Sequence, residues 1–192
     1  MKHRIFIAIN LPENIKNILS SYQDKWPDLP VRWTKKENLH ITLEFLGYLI
    51  DEELIELFQK TKELALKNES FSIRLNKICY GPPNKKPSEV RTPSSMNLKD
   101  SSLRSTYSST KSKSPRMVWA TGEKTKEFNL LPHITLGRLK TWEWRRIEPE
   151  ERPEVNEEID LTFEVNSIEI MESVLKRTGP EYIILESCPL KN

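Results

Sequence analysis

The chain has 192 residues, of which 36% are hydrophobic and 30% charged, and its formal net charge at pH 7 is +2. This length predicts one domain with a sizeable core, while so small a charge does not by itself indicate a nucleic-acid partner. The absence of any run of about 18 apolar residues argues against a transmembrane helix, and the first residues lack a signal-peptide core. Cys79 and Cys188 stand far apart, so we expect free thiols, a cytoplasmic location and no metal site or cofactor.

The first half of the chain predicts alternating strands and helices. Helices are predicted over residues 13–25, which follow Pro12, and over residues 51–67, where apolar side chains recur at helical spacing behind a capping residue, Asp51. Alternating or apolar runs typical of strands occupy residues 4–10, 31–34 and 39–46.

The second half predicts mainly strands. Runs typical of strands occupy residues 71–80, 117–121 and 133–139, with a closing strand pair at 161–173 and 181–187. Only ten residues, 123–132, separate two of these strands, and they can form at most about two helical turns. The order predicts an α+β fold, and the short connection leaves open whether the second lobe is intact.

Residues 84–116 differ from the rest of the chain in composition. Ten of the 27 residues from Ser88 to Ser114 are serine, and residues 84–116 hold eight Lys or Arg against two Asp or Glu. Such a segment cannot bury enough apolar surface to order itself, so we predict a flexible basic insertion. It either has no role or attracts RNA phosphates.

The tetrapeptide His-Ile-Thr-Leu occurs twice, at residues 40–43 and 133–136, in a chain with only three histidines. Side chains alternate between the two faces of a strand, so each copy presents one imidazole and one hydroxyl on the same face. Two halves that each carry one copy predict an internal pseudo-repeat in which the two motif strands line a central groove.

These four side chains suit metal-independent hydrolysis of a phosphodiester. Near neutral pH one imidazole can be neutral and accept a proton from water while the other, protonated, gives a proton to the leaving oxygen. The hydroxyls of Thr42 and Thr135 can donate hydrogen bonds to the phosphoryl oxygens. The competing interpretation is that His40 and His133 are ordinary strand residues.

Paired His-x-Thr motifs in hydrophobic strands resemble the signature of the 2H phosphoesterases, and most closely that of the RNA 2′,3′-cyclic phosphodiesterases, also known as 2′-5′ RNA ligases. The resemblance covers most of the chain. It is carried by residues 4–12, 33–47, 132–138 and 170–173 and by Tyr182. In the family a helix precedes the second motif, whereas here only residues 123–132 are available.

The resemblance implies a single bilobal domain over residues 1–192, with two antiparallel sheets and flanking helices around a central groove. It implies hydrolysis of RNA 2′,3′-cyclic phosphate ends to 2′-phosphates, with a possible 2′-5′ ligase activity in reverse. By the same resemblance His40 is the proton donor and His133 the proton acceptor, since nothing in the sequence fixes that direction. We expect a monomer that acts on RNA ends or cyclic nucleotides and has no membrane partner.

Substrate contacts are predicted near the second motif. Arg138 faces away from Thr135 in a regular strand, but the family resemblance places an arginine near the phosphate. Aromatic and basic side chains suit an RNA-end platform, and such a cluster follows the motif at Trp142, Trp144, Arg145 and Arg146. Trp33 and Lys35 are candidate rim residues, whereas Phe45 is more simply a core residue.

Two alternatives to RNA 2′,3′-cyclic phosphate hydrolysis stay open. One is a 2H enzyme acting on another cyclic nucleotide or on a 2′-5′ linkage. The other is an RNA-end binding module without turnover, which the short segment 123–132 favours and the four intact motif side chains oppose.

Overall fold

The computed structural model describes residues 1–82, 115–177 and 179–191. The predicted insertion at 84–116 therefore lies outside the described residues, except for Pro115 and Arg116. The described chain contains nine strands and three α-helices and has the α+β fold that the sequence predicts. The helices are α1 (Glu13–Ser21), α2 (Asp51–Ala65) and α3 (Thr141–Arg146). The strands are β1 (Lys2–Asn10), β2 (Val31–Trp33), β3 (His40–Ile50), β4 (Phe71–Gly81), β5 (Met117–Gly122), β6 (His133–Leu139), β7 (Asn156–Val165), β8 (Ser167–Lys176) and β9 (Gly179–Pro189).

The helices of the first half form where apolar spacing predicts them, with changes at their ends. The segment predicted as one helix over 13–25 ends its α-helical part at Ser21 and continues as a 3₁₀ turn, Tyr22–Lys25. Asp51 is not the cap of α2 but its first helical residue. The N–H of Ile50 donates to the Glu53 carboxylate (2.9 Å), and three acidic residues in the first turn favour the positive end of the helix dipole.

The second half departs further from the prediction. The predicted strand over 161–173 is two strands, β7 and β8, divided at Asn166, whose carbonyl accepts the N–H of Leu190 instead of continuing a ladder. Residues 123–132 contain only a 3₁₀ turn, Glu127–Asn129, so this connection lacks a helix. The short α3 was not predicted, because its six residues carry too few apolar positions to show a helical period.

The family resemblance implies two antiparallel sheets, whereas the described strands form one antiparallel sheet. Its strand order is β7-β4-β5-β6-β3-β1-β8-β9, and β2 pairs with β6. The two motif strands, β3 and β6, are joined by a single backbone pair, Ile41 with Ile134. Both side chains are fully buried, so the two motif strands are held together by a shared core as well as by this one pair.

That core lies under the helices. Ile15 and Leu19 of α1 and Leu54 and Ala65 of α2 belong to the same buried cluster as Ile41 and Ile134. The helices therefore cover one side of the sheet, and burying their apolar stripes stabilises it. No helix among the described residues is both long and apolar enough to cross a membrane.

The junction between β3 and β6 can be tested by core truncation. Ile134→Ala should lower the free energy of unfolding by about 2–5 kcal/mol, because it leaves a cavity in a fully buried site. Ile55→Ala, at an exposed isoleucine of α2, is the matched control and should change it by less than about 0.5 kcal/mol. Urea denaturation measures both, and similar losses in the two variants would contradict the role of Ile134 in the core.

Candidate active site

A cavity of about 440 Å³ opens where β3 and β6 meet. The side chains of both His-x-Thr motifs line it, and these are His40, Thr42, His133 and Thr135. Two motifs that are 93 residues apart in sequence are thus brought to one site.

The pairing of Ile41 with Ile134 explains how the four side chains converge. In an antiparallel pair with this register, His40 stands across from Thr135 and Thr42 stands across from His133. Because both isoleucines point into the core, their neighbours on either side point away from it into the cavity. The two motifs are therefore related by an approximate twofold axis through the isoleucine pair.

The two imidazoles are oriented in the same way. Nδ1 of His40 lies 2.7 Å from the Asn38 carbonyl oxygen, and Nδ1 of His133 lies 3.3 Å from the Leu131 carbonyl oxygen, in each case two residues upstream. A carbonyl can only accept, so each Nδ1 carries a hydrogen. Nε2 of each ring is then the atom free to exchange a proton.

The ring of His40 is more enclosed. It packs against Phe6 and Tyr182, with centroids 5.1 and 5.0 Å away, and its Nε2 lies 2.9 Å from the Thr42 hydroxyl. Burial lowers the pKa of His40 below its usual 6.5, and the positive charge of the buried Lys16 acts in the same direction, while the hydrogen bond to the Asn38 carbonyl oxygen opposes the shift. The free protein therefore favours neutral His40.

His133 has different neighbours. Its ring lies against that of Trp119, with centroids 4.4 Å apart and an angle of 34° between the planes. Among the described residues, the hydroxyl of Thr135 makes only a long contact of 3.9 Å, with Met117 Sδ. The hydroxyl of Thr135, unlike that of Thr42, is thus not engaged by the histidine of its own motif and can donate to a bound oxygen.

Each motif is followed by the same irregularity. Leu43 is an extra residue in β3 opposite Ile7 and Ala8, and Leu136 is an extra residue in β6 opposite Val118 and Trp119. Such a bulge shifts the alternation of the side chains by one position.

The residue three positions after each threonine consequently returns to the cavity. These residues are Phe45 and Arg138, and both line it. The prediction that Phe45 is a core residue is wrong, since 69% of it is exposed. A regular strand would have turned Arg138 away from Thr135, and the bulge at Leu136 is what reverses this.

The aromatic-basic cluster of the second half does not reach the cavity walls. Trp144 is buried against Tyr80, with centroids 5.3 Å apart, so its predicted role as a stacking platform is wrong. It lies on α3 and belongs to the main hydrophobic core. Trp142 is exposed and lies against the Arg146 guanidinium, and neither Trp142 nor Arg145 lines the cavity.

The candidate rim residues Trp33 and Lys35 line the cavity. Several other lining residues were not identified as site residues from the sequence. Additional lining residues include Arg32, Asn38, Met117, Trp119 and Tyr182. Met117 and Trp119 alternate on a predicted strand and could have been paired on one face, whereas Arg32, Asn38 and Tyr182 reach the cavity through contacts between distant segments. Among the described residues, no group of three or more His, Cys, Asp or Glu is placed to hold a metal ion.

Comparisons with known proteins agree with the family resemblance. The model of the family described as LigT like Phosphoesterase matches residues 7–91. The RNA 2′,3′-cyclic phosphodiesterase of Methanocaldococcus jannaschii is 30% identical over 184 residues, which are 95% of this chain and 98% of that protein. The chain belongs to the LigT-like phosphoesterases. This family lies within the 2H phosphoesterase superfamily that the motifs predict.

Other relatives of this LigT-like phosphoesterase span similar lengths. The RNA 2′,3′-cyclic phosphodiesterase of Aquifex aeolicus is 25% identical over 186 residues, 95% of each chain. A crystal structure of a Thermus thermophilus protein has a TM-score of 0.72 at 24% identity, covering 98% of each chain. Escherichia coli LigT in complex with 3′-AMP has a TM-score of 0.65 at 19% identity, covering all of both chains. At these identities the two structures support the fold alone.

The histidines should titrate in opposite directions from the free amino acid. We expect His40 to titrate below 6.5, because burial disfavours its charge, and His3 above 6.5, because the carboxylates of Glu172 and Asp51 accept hydrogen bonds from its ring. Ring-proton NMR of the three histidines, assigned with His3→Gln and His40→Gln variants, measures both pKa values. A His40 value at or above 6.5 would contradict the effect of its enclosure.

The same shifts give opposite contributions to stability. The lowered pKa of His40 contributes stability that is present above about pH 6.5 and is lost as the pH falls through the lowered value. The raised pKa of His3 contributes stability that is present below about pH 6.5 and is lost as the pH rises through the raised value. Urea denaturation of the same two variants across this range separates the contributions.

Proposed function

We propose that this LigT-like phosphoesterase hydrolyses 2′,3′-cyclic phosphates at RNA ends to 2′-phosphates, with the two His-x-Thr motifs as its catalytic groups. The observation that carries the proposal is that both imidazoles and both hydroxyls line one cavity. The relatives named RNA 2′,3′-cyclic phosphodiesterase, which match nearly the full chain, support the substrate. A cavity of about 440 Å³ suits a nucleotide-sized ligand.

The proposed reaction is an in-line displacement at phosphorus. Nε2 of His133 accepts a proton from a water molecule, whose oxygen bonds to phosphorus. The bond from phosphorus to the 3′ oxygen breaks on the opposite side, and Nε2 of His40 gives that oxygen a proton. Thr42 and Thr135 donate hydrogen bonds to the two non-bridging oxygens, where negative charge accumulates. The reaction consumes one water, and its product is a 2′-phosphate with a free 3′ hydroxyl.

Because His40 is enclosed and mostly neutral in the free protein, it has to gain a proton before it can act as the proton donor. Its pKa is lowered in the free protein, so the ring is mostly neutral there near neutral pH. A phosphodiester anion bound beside it favours the charged form and raises the pKa again. Substrate binding would then load His40 with the proton that it delivers, and Thr42, which faces Nε2 at 2.9 Å, would turn from the ring to the phosphate.

Arg138 provides the positive charge that the proposal needs on the His133 side of the cavity. The bulge at Leu136 turns Arg138 toward the cavity, and a guanidinium can hold a phosphate through two parallel hydrogen bonds. All of these groups come from one chain, so the proposed reaction requires no second copy of the protein.

Replacing either motif histidine should abolish most of the activity. His40→Ala and His133→Ala should each lower kcat by at least about 10²–10⁴-fold, the usual contribution of a general acid or base. The assay is hydrolysis of an oligoribonucleotide ending in a 2′,3′-cyclic phosphate, in excess chelator, with the phosphate position read by phosphorus NMR. His3→Ala is the matched control, because His3 lies outside the cavity lining.

The possible outcomes separate the proposal from its alternatives. A near-normal rate in either variant would contradict the mechanism. RNA binding without turnover by the natural protein would favour a binding module, and hydrolysis of other cyclic nucleotides or of 2′-5′ linkages alone would favour the second enzyme class.

The contribution of Arg138 can be separated from that of general positive charge. Arg138→Gln should raise KM for the same oligoribonucleotide by about 10–100-fold, because it removes a charged hydrogen bond to phosphate. Arg145→Gln removes the same charge from an exposed position outside the cavity lining and should leave KM nearly unchanged. Equal effects at both positions would assign RNA binding to the predicted cluster after the second motif.

A further inference from the structure

The carbonyl oxygens that orient the two motif histidines belong to residues in different surroundings. The one that accepts from His40, at 2.7 Å, belongs to Asn38, which is only 6% exposed. The one that accepts from His133, at 3.3 Å, belongs to Leu131, which is 44% exposed. The equivalent contact is therefore shorter and buried in the first motif.

The side chain of Asn38 reaches a distant part of the chain. Its amide Nδ2 donates to the carbonyl oxygen of Pro180 at 2.8 Å, across 142 residues of sequence. Pro180 is the second residue of β9, which also carries Tyr182 to the ring of His40, at 5.0 Å between centroids. Asn38 thus contacts His40 through its own backbone and, through its side chain, the strand that packs against the same ring.

The other side of this segment is held less firmly. Asn38 ends a 3₁₀ turn, Lys36–Asn38, and the Lys36 ammonium donates to Glu13 and Asn17 of α1 at 2.5 and 3.0 Å. These contacts are exposed to solvent, where ion pairs contribute little to stability. Losing a buried amide donor costs more, because the carbonyl that it served is left without a partner. The bond from Asn38 to Pro180 is therefore the main side-chain restraint on the turn.

Proton transfer by His40 depends on where that turn holds the Asn38 carbonyl. A neutral imidazole carries one hydrogen, and the bond made by one ring nitrogen decides which nitrogen carries it. Neutral His40 can take up its proton at Nε2 only while Nδ1 keeps its own hydrogen on the Asn38 carbonyl oxygen. A movement of that carbonyl would both turn the ring and allow the hydrogen to move to Nε2.

We propose that Asn38 is a positioning residue for the first motif: its buried amide, bonded to the Pro180 carbonyl, fixes the backbone oxygen that sets the orientation and the tautomer of His40. The consequence for the rate rests on the proposed phosphodiesterase function, whereas the consequence for the tautomer does not. The second motif has no counterpart, since its equivalent residue, Leu131, has no side-chain amide.

Two substitutions of Asn38 test the effect on the rate. Asn38→Asp keeps the shape of the side chain and removes the N–H donors, and Asn38→Ala removes the whole amide. Each should lower kcat for the oligoribonucleotide with a 2′,3′-cyclic phosphate end by about 10–100-fold, because a misplacement of about 1 Å can cost that much. KM should change by less than about twofold, since the loss lies in the proton transfer. Only Asp adds a charge, so agreement between the two variants assigns the loss to the missing donor.

The tautomer of His40 gives a second readout, which a general loss of stability would not change. Nitrogen-15 NMR at about pH 8, where an ordinary histidine is neutral, should show the hydrogen on Nδ1 in the natural protein. In both Asn38 variants a substantial fraction should move to Nε2. His133 is the internal reference in the same spectra and should be unchanged, because its ring has its own carbonyl partner.

Two control variants keep the carbonyls and change the side chains that carry them. Leu131→Ala alters the exposed equivalent residue of the second motif, and Pro180→Ala retains the oxygen that accepts from Asn38. Both should keep kcat within about twofold of the natural value, as expected where no hydrogen-bonding group is removed. Urea denaturation of all four variants verifies that each is folded at the assay temperature, and Asn38→Asp, which conserves volume, serves if Asn38→Ala is not.

The outcomes separate this inference from the proposed function. A natural kcat and tautomer in Asn38→Asp would overturn the positioning role. So would a raised KM at natural kcat, which would make Asn38 a substrate contact, or a lowered kcat with an unchanged tautomer. No hydrolysis by the natural protein would overturn the proposed function, while the NMR comparison would still decide whether Asn38 holds His40.

Discussion

The contact between Ile41 and Ile134 is the constraint on which the candidate site depends. It is the only backbone pair that joins β3 to β6 in the described sheet, and it lies at the centre of both His-x-Thr motifs. Both isoleucines are fully buried, so a slip of one residue would place His40 or His133 in the core and an apolar side chain in the cavity. The apolar positions of the motif thereby hold its polar positions in register.

The residues around the site have two effects on the histidines, since they orient both rings and give each ring different neighbours. Carbonyl oxygens two residues upstream hold both histidine rings in the same orientation, while their neighbours make the two rings chemically different. Asn38 connects the first motif to the closing strand. Its carbonyl oxygen accepts a hydrogen bond from His40, and its buried side-chain amide donates one to the Pro180 carbonyl oxygen (2.8 Å) near the start of β9. The closing strand that brings Tyr182 to His40 is thus attached directly to the first motif.

A duplicated motif gives the two halves similar backbones without giving them the same chemistry. Each tetrapeptide ends in a bulge at its leucine, and each bulge turns the third residue after the threonine into the cavity. The sequence places phenylalanine at one of these positions and arginine at the other. Pseudosymmetry thus brings the two histidines and two threonines together, and its departure from symmetry places different side chains on the two sides of the cavity.

The sequence by itself determined the α+β class, the family and the convergence of the two motifs, because helical and strand periods and a repeated tetrapeptide are local patterns. It did not determine the faces of Phe45 and Arg138, which a regular strand would have reversed, since a bulge depends on the partner strand. Trp144 and Trp142 lie two residues apart in similar polar surroundings, yet one is core and the other exposed, because packing against Tyr80 selects between them. Only the tertiary structure decided these positions, since each depends on residues that are distant in the chain.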